Sequence, residues 1–258
     1  MRALPFDRVG VLARIGIAML LLLAALATPS FAQAPFARER EQMLEEIDAL
    51  MRASAAQTGH SGLRPCVREA LQQVPRHRFV PEELQGLAYV DRPLPIGEGQ
   101  TISEPFMVAL MTELLEAGAQ DRVLEVGTGS GYQAAVLSRC VQRVYSIEIV
   151  RPLGERAAER LAELGYRNIE LRIGDGYAGW PQAAPFDRIL VTAAPDHVPQ
   201  TLIDQLKPGG RMVVPVGPEG WLQDLVVIRK DSQGHIDRQS KAIVRFVPMR
   251  HAPEPVAP

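Results

Sequence analysis

The residues Val123-Leu124-Glu125-Val126-Gly127-Thr128-Gly129-Ser130-Gly131 decide the fold of this 258-residue chain. A mostly apolar stretch, typical of a buried parallel strand, leads into three glycines at every second position. Glycines at the end of such a strand allow a sharp turn, and they let a ligand approach main-chain N–H groups without a Cβ atom in the way. The stretch therefore predicts a nucleotide-like ligand at the carboxyl end of a parallel strand.

The spacing of these glycines indicates which nucleotide is bound. A dinucleotide fingerprint has the form G-x-G-x-x-G, and its third glycine would fall where this chain has Tyr132. The third glycine is Gly131 instead, which gives the pattern E-x-G-x-G-x-G and resembles the first motif of S-adenosylmethionine-dependent methyltransferases. A glycine-rich turn without a ligand is the alternative that the loop alone leaves open. The loop residues expected to bind the cofactor are Gly127, Thr128, Gly129, Ser130 and Gly131.

The charge of the chain and its cysteine and histidine patterns exclude several classes of protein. It has 28 Lys and Arg residues against 30 Asp and Glu residues and a formal net charge of −2, so we expect no nucleic-acid partner. It contains no C-x-x-C pair, no H-E-x-x-H motif and no histidine cluster, so we expect no metal site. Its length fits one large α/β domain with extra elements.

Residues 1–32 have the layout of a secretory signal peptide. Three arginines precede an uncharged run over residues 15–27 that is mostly Leu and Ala, and a small-x-small cleavage site ends at Ala32. The run is too short to span a membrane comfortably, so we expect no stable span in the mature chain. A shorter protein that starts at Met43 is the alternative.

Cys66 and Cys140 are the only two cysteines of the chain. They could pair in an oxidising compartment, but their positions in the sequence do not show whether they approach each other. Because unpaired cysteines often behave as small buried hydrophobic residues, we expect that role for both.

Strands and helices alternate after an amino-terminal helical region. Apolar residues at helical spacing predict helices over 38–57, 65–74 and 104–117. The predicted strands are Val123–Val126, Val144–Ile147, Ile169–Ile173, Arg188–Thr192, Arg211–Val216, Leu225–Ile228 and Ala242–Val247. The helices predicted between them are Gln133–Cys140, Pro152–Leu164 and Gln200–Leu206, and Lys207-Pro208-Gly209-Gly210 is a predicted turn. This order predicts a doubly wound, Rossmann-like α/β sheet, mostly parallel with an antiparallel edge, plus N-terminal helices.

Two acidic residues follow later strands where an adenosine would lie. Glu148 ends the second predicted strand, and its carboxylate can accept both hydroxyls of a ribose. Asp175 follows the third strand and can reach an adenine amino group, while Gly176 beside it permits close approach. A solvated charge at Glu148 and an Asx turn at Asp175 are the structural alternatives. Because these features end successive strands, they predict one adenosine-shaped crevice.

The segment Gln100-Thr101-Ile102-Ser103 precedes a helix start at Glu104-Pro105. Ser103 can cap that helix, which is its structural alternative. No G-x-S-x-G elbow surrounds Ser103, so a role as a hydrolase nucleophile is weakly supported. A hydroxyl and free N–H groups at a helix N-terminus are well suited to bind a carboxylate.

These motifs together resemble the protein-L-isoaspartate O-methyltransferase family over about residues 40–250. The Q-T-I-S segment is the most family-specific part of the resemblance. The other motifs that carry it include Val74-Pro75-Arg76, Leu94-Pro95-Ile96-Gly97, the glycine loop, Gly174-Asp175-Gly176, Val191-Thr192-Ala193-Ala194-Pro195 and Val244-Arg245-Phe246-Val247-Pro248.

The resemblance implies a function and a set of site residues. The family uses S-adenosyl-L-methionine to methylate the free carboxyl of L-isoaspartyl and D-aspartyl residues in damaged proteins, and repair then proceeds through a succinimide. Ser103 would be the active-site serine, with Thr101 and Ile102 beside it, while Val247 and Pro248 would hold the substrate. The family and the cofactor supply also imply a cytoplasmic location, with isoaspartyl-containing proteins as partners. Periplasmic export is the competing expectation from residues 1–32. We expect the chain to be a monomer.

The expected organisation is a signal-like segment over 1–32, one methyltransferase domain over 38–250 and a disordered tail over 251–258. Within the domain, 38–120 would hold the N-terminal helices and substrate loop, and 121–250 the cofactor-binding sheet.

Three other functions stay open at this point. A nicotinamide-dependent oxidoreductase is disfavoured by the glycine spacing. A methyltransferase of nucleic acids or small molecules is disfavoured by the acidic balance and by Ala193-Ala194-Pro195, which stands where an Asn/Asp-Pro-Pro-Tyr-type motif would be expected. An exported binding protein without turnover is the third, because the periplasm has no obvious supply of the methyl donor.

Overall fold

The computed structural model describes residues 35–251 of the chain. Contacts divide the chain into Met1–Ala37 and Arg38–Pro258, and the second unit carries the sheets and the site. The predicted signal segment and residues 252–258 of the predicted disordered tail lie outside the described residues. Within 35–251, no helix is both long enough and apolar enough to cross a membrane.

A seven-stranded sheet forms the centre of this unit. A small antiparallel hairpin, β1 (Leu94–Gly97) and β2 (Gln100–Ile102), precedes it in the chain. The strands of the large sheet are β3 (Arg122–Val126), β4 (Arg143–Glu148), β5 (Ile169–Ile173), β6 (Phe186–Val191), β7 (Leu206–Val216), β8 (Gln223–Lys230) and β9 (Ile236–Val244). Their spatial order is β5-β4-β3-β6-β7-β8-β9. The first five strands in that order are parallel and β8 and β9 are antiparallel, so the predicted sheet with an antiparallel edge is confirmed.

Within the described residues, six α-helices surround the sheet or precede it. They are α1 (Ala37–Thr58), α2 (Pro65–Gln73), α3 (Pro105–Leu115), α4 (Tyr132–Ser138), α5 (Arg151–Glu163) and α6 (Gln200–Asp204). Helix α3 contacts β6 and β7, whereas α4 and α5 contact β4 and β5. Short 3₁₀ turns cover Arg76–Phe79, Glu82–Leu87 and Gly176–Ala178. The predicted helices are all present, with ends that differ by a few residues.

Two predicted boundaries at the carboxyl half of the sheet are wrong. Strand β7 begins at Leu206, so the predicted turn Lys207–Gly210 belongs to the strand. Leu206 pairs with Phe186 of β6, which keeps this Pro- and Gly-rich stretch extended. The register of the β6–β7 pairing shifts between Phe186 and Arg188. Strand β9 covers Ile236–Val244 and not 242–247, because its polar first half pairs with β8 as far as Lys230. A polar edge strand carries no apolar run that would reveal it.

The two cysteines form a disulfide bond, so the expectation that they stay unpaired is wrong. Cys66 lies at the start of α2 and Cys140 shortly after α4, with Cα atoms 5.6 Å apart. That separation is in the usual range for a disulfide. Because 74 positions separate the partners in sequence, only the folded arrangement brings them together. The bond ties the N-terminal helices to the helix that follows the glycine loop.

Candidate active site

A pocket opens where β3, β4, β5 and β6 end, and we call it the main pocket. The carboxyl ends of parallel strands meet at one edge of a sheet, which is why loops distant in sequence converge there. Its predicted members are Thr101, Ile102, Ser103, Gly127, Thr128, Gly129, Ser130, Glu148, Gly176, Val247 and Pro248. Gly131 and Asp175 are the two predicted site residues that do not line it.

The glycine loop turns tightly between β3 and α4. Gly127 has a φ of 100°, and a Cβ atom there would lie 2.6 Å from Oγ1 of Thr192. Gly131 has a φ of 90°, precedes α4 and faces Leu161, so it shapes the turn without reaching the pocket. Gly127 therefore shapes the surface of the pocket, and Gly131 shapes the start of α4.

Glu148 is held in place by two main-chain donors. Its Oε2 accepts a hydrogen bond of 2.7 Å from the N–H of Gly129, and its Oε1 accepts one of 2.9 Å from the N–H of Val150. The side chain is buried and lines the main pocket. Since each carboxylate oxygen can accept more than one hydrogen bond, Glu148 keeps the capacity to accept ribose hydroxyls.

A buried carboxyl group lies beneath the loop, and sequence reasoning assigned it no role. Oγ of Ser146 donates to Oε2 of Glu125 at 2.5 Å, and the Oγ atoms of Ser146 and Thr128 are 2.6 Å apart. Burial raises the pKa of Glu125 to about 8, although the hydrogen bond from Ser146 opposes this shift. Glu125 is therefore largely protonated at neutral pH. An acidic residue inside an apolar strand was the signal for it.

We expect the free energy of unfolding to fall as pH rises from about 5 to about 8 because of Glu125. Its folded-state pKa is raised above that of the unfolded chain, so the native state binds the extra proton in this window. The contribution is fully present at lower pH and is lost towards pH 8, with a slope of up to about 1.4 kcal/mol per pH unit. Urea unfolding across this range should show a flatter profile for Glu125→Gln than for the parent. Parallel profiles would contradict the assignment.

Ser103 lies at the junction of β2 and α3, but it does not cap the helix. The N–H of Phe106 donates instead to Oδ1 of Asp91 at 2.7 Å, so the aspartate caps α3 from a distant loop. Ser103 lines the main pocket together with Thr101 and Ile102. Ser103 therefore does not have the capping role that was its structural alternative, and its side chain is available to the main pocket.

Arg76 supports this segment, and sequence reasoning assigned it no role beyond its place in a motif. Its side chain is fully buried, with Nε donating to the carbonyl of Ala88 and Nη2 to the carbonyl of Ser103, both at 2.6 Å. The guanidinium also lies over the ring of Tyr132, 4.8 Å from its centroid. Burial lowers the pKa of Arg76, while Tyr132 and Asp91 oppose that shift. One side chain thus joins the Q-T-I-S segment to the start of α4.

The segment that follows β9 forms another wall of the main pocket. The N–H of Ala194 donates to the carbonyl of Val247, and the N–H of Met249 donates to the carbonyl of Ala194, both at 2.8 Å. Gln223, which is buried, accepts from the N–H of Phe246 at 2.9 Å. These bonds bring Val247 and Pro248 to the main pocket, through partners that the sequence did not indicate, and their contact with a substrate stays a prediction.

Asp175 stands at the margin of the main pocket, and its side chain forms the Asx turn that was the structural alternative to adenine binding. Its Oδ1 accepts from the N–H of Tyr177 at 2.8 Å and caps the short turn Gly176–Ala178. His251 lies 3.8 Å from Oδ2 and stacks on Tyr177. Contact between Asp175 and an adenine stays a prediction, whereas the neighbouring Gly176 does line the main pocket.

A second cleft of about 230 Å³ adjoins the main pocket, and we call it the side cleft. The two share Thr101, Ser103, Thr192 and Val247. The residues that line only the side cleft are Pro93, Glu104, Met107, Leu222, Ile243, Val244, Arg245 and Phe246. Burial, reinforced by Asp91, raises the pKa of Glu104. The shared residues form a junction at which two ligands could meet.

The main pocket fits an adenosine ligand on chemical grounds. Its loop has no Cβ at Gly127, its carboxylate at Glu148 suits a diol, and Ile147 and Val150 add apolar lining. Within residues 35–251, no group of three or more His, Cys, Asp or Glu residues is arranged to hold a metal ion.

Comparisons with known sequences point to one family. A family described as protein-L-isoaspartate(D-aspartate) O-methyltransferase matches residues 48–253. A protein-L-isoaspartate O-methyltransferase of Syntrophobacter fumaroxidans is 51% identical over 231 residues, which cover 90% of this chain and 94% of that protein. A relative of the same description from Nitrosospira multiformis is 54% identical over 211 residues, or 82% of this chain and 86% of that protein.

Comparisons with solved structures agree. A protein-L-isoaspartate O-methyltransferase matches with a TM-score of 0.68 and 30% identity, over 79% of this chain and 65% of that chain. A Plasmodium falciparum β-aspartate methyltransferase, crystallised with S-adenosyl-L-homocysteine, matches with a TM-score of 0.68 at 24% identity, over 83% of this chain and 99% of that chain, which shows a shared fold. The present chain belongs to the protein-L-isoaspartate O-methyltransferase family.

Proposed function

We propose that this protein transfers the methyl group of S-adenosyl-L-methionine to the free carboxyl of L-isoaspartyl and D-aspartyl residues in damaged proteins. The observation that carries the proposal is the junction of the main pocket and the side cleft at Ser103, Thr101 and Val247. A cofactor in one space and a polypeptide in the other would meet at these residues.

The chemistry needs positioning more than proton transfer. When bound, S-adenosyl-L-methionine supplies a methyl group on a sulfonium, and Glu148 with the glycine loop would hold it. A substrate carboxylate is ionised at neutral pH and is already a nucleophile, so no strong base is required. Ser103 and Thr101 would orient the reacting oxygen, while Ile102 and Val247 keep water out of the junction.

Repair follows from the ester without further help from the enzyme. The neighbouring peptide nitrogen attacks the ester carbonyl, methanol leaves, and a succinimide forms. Hydrolysis of this ring returns part of the material to normal aspartate. The enzyme therefore acts only on the first step. Methylation of the carboxyl makes an ester, whose methoxide is a better leaving group than the original carboxylate oxygen.

Methyl transfer to an isoaspartyl peptide, measured beside its normal aspartyl twin, tests the proposed function. We expect labelled methyl groups on the isoaspartyl peptide alone. Equal labelling of both peptides, or labelling of neither, would contradict it.

We expect Ser103→Ala to lower kcat about 10- to 100-fold, because it removes a hydrogen bond of about 1.5–3 kcal/mol to a charged group. The dissociation constant for S-adenosylhomocysteine should change less than about threefold, because Glu148 and the glycine loop, and not Ser103, would hold the cofactor. Ser61→Ala, at an exposed position, is the matched control. Equal losses in turnover and in cofactor affinity would show that Ser103 has a structural role.

Glu148→Gln should weaken S-adenosylhomocysteine binding about 10- to 100-fold, because the amide cannot accept at both positions and also loses the charge. Calorimetry would measure this change, with the exposed Glu170→Gln as control. Unchanged affinity, or tight NAD binding by the parent protein, would contradict the cofactor assignment.

We also propose that the mature protein works in an oxidising compartment. The signal-like layout of residues 1–32 and the disulfide between Cys66 and Cys140 both support export, because the cytoplasm keeps thiols reduced. The family resemblance had favoured the cytoplasm. An N-terminus near Gln33 and absence of free thiols in protein from cells would support export, whereas a start at Met1 or Met43 with two free thiols would contradict it.

We further propose that residues 38–250 act as one monomeric domain that binds no nucleic acid. The acidic balance supports the second point. Sedimentation of the purified protein, alone and with DNA or RNA, tests both.

A further inference from the structure

Three large apolar side chains are exposed together beside the side cleft. Trp221, Leu222 and Ile243 are 72%, 59% and 58% exposed, and we call them the apolar rim. Leu222 and Ile243 both line the side cleft, and Trp221 precedes Leu222 in the chain. Contiguous exposed apolar side chains at the edge of a cleft are typical of a binding groove.

The pleat of β8 and β9 orients Ile243 and also Leu222, the residue directly before β8, whereas Trp221 lies in the bend that leads into this strand. Gln223 pairs with Val244 and both are buried, so the adjacent Leu222 and Ile243 point to the opposite, open face. A turn at Pro218, whose carbonyl accepts from the N–H of Trp221, leads into this edge. The rim is thus presented by a paired, hydrogen-bonded scaffold.

We propose that the apolar rim binds an apolar side chain of the substrate polypeptide beside the isoaspartyl residue. A chain whose carboxylate lies at Ser103 must leave the junction through the side cleft, and Leu222 and Ile243 line that exit. The favoured substrates are then unfolded segments in which an aliphatic or aromatic residue flanks the damaged one, because such residues are buried in intact proteins. This inference rests on the proposed function and names its substrate class.

The size of the rim favours a polypeptide segment over a second copy of the protein. Its three side chains expose about 400 Å² at most, given that a whole aromatic side chain covers about 150–250 Å². A stable protein–protein interface buries about 800 Å² on each partner. Leu222 and Ile243 of the rim line the same cleft as the polar residues Thr101 and Ser103. This arrangement suits one extended polypeptide that carries a carboxylate near an apolar side chain.

The test uses isoaspartyl hexapeptides that differ only in one residue flanking the isoaspartate, Leu or Ser, on either side. We expect kcat/KM to be about tenfold higher for a Leu peptide in the parent enzyme. The double variant Leu222→Ser/Ile243→Ser should methylate Leu and Ser peptides equally. Leu87→Ser, at an exposed apolar position outside the side cleft, should keep the preference.

Fluorescence gives a second readout that needs no turnover. The chain has two tryptophans and Trp180 is buried, so a blue shift when a Leu peptide is added to enzyme with S-adenosylhomocysteine would report on Trp221. Equal rates for Leu and Ser peptides in the parent, or a preference that survives in the double variant, would overturn the rim proposal alone. A dimer that the double variant dissociates would also overturn it. Failure to methylate any isoaspartyl peptide would overturn the proposed function instead, and the rim with it.

Discussion

Arg76→Met is expected to destabilise the protein by about 3 kcal/mol, mainly because two buried carbonyl groups lose their donor. The carbonyl oxygens of Ala88 and Ser103 both accept from this guanidinium, and each unsatisfied buried acceptor costs about 1–3 kcal/mol. The contact with the ring of Tyr132 is lost as well. Relief of the desolvation of a buried cation offsets part of the loss.

The same substitution should lower kcat/KM for the isoaspartyl peptide by more than about tenfold, because a small displacement of Ser103 misplaces the acceptor oxygen. Urea unfolding and steady-state kinetics would measure the two effects. Arg78→Met is the control, since Arg78 is exposed and lies two residues further along the same short turn. A change below about 1 kcal/mol together with normal kinetics would show that the two hydrogen bonds are replaceable.

Loss of the disulfide should cost about 4 kcal/mol. A cross-link between partners 74 residues apart removes much of the conformational entropy of the unfolded chain, and the chain-entropy relation gives this magnitude. For a domain of this size, the unfolding temperature should fall by about 10 °C.

The parent protein in reductant and the double variant Cys66→Ala/Cys140→Ala should unfold at the same urea concentration. Reductant should have no further effect on the double variant, which makes it the matched control. An unfolding midpoint of the parent that reductant leaves unchanged would contradict a stabilising role for this bond.

The fold could be predicted from the sequence where a signal is local. Strand β5, at one edge of the sheet, has the predicted bounds because apolar and charged residues alternate along it. Strands β3 and β4 differ from their predicted bounds by one or two residues, and most of their residues are buried. Strand β9 was misplaced because its polar first half is recognisable only by its pairing with β8.

The site residues also divide into those with a local sequence signal and those without one. The glycine loop, Glu148 and the Q-T-I-S segment carry short motifs, so their convergence at one sheet edge could be predicted. The roles of Arg76 and Asp91 could not, because each acts on a segment far along the chain, one on the carbonyl of Ser103 and the other on the N–H of Phe106. Long-range hydrogen bonds leave no periodic trace in a single sequence.

The wall formed by Val247 and Pro248 has a consequence for the timing of biosynthesis. This segment follows the last strand and is held by Ala194 and Gln223, whereas the opposite side of the junction comes from residues 100–103. A nascent chain on the ribosome therefore completes neither the main pocket nor the junction before this segment has emerged. Methylating capacity would be acquired only when nearly the whole domain has emerged, so premature termination before Val247 would yield a folded sheet without a finished enzyme.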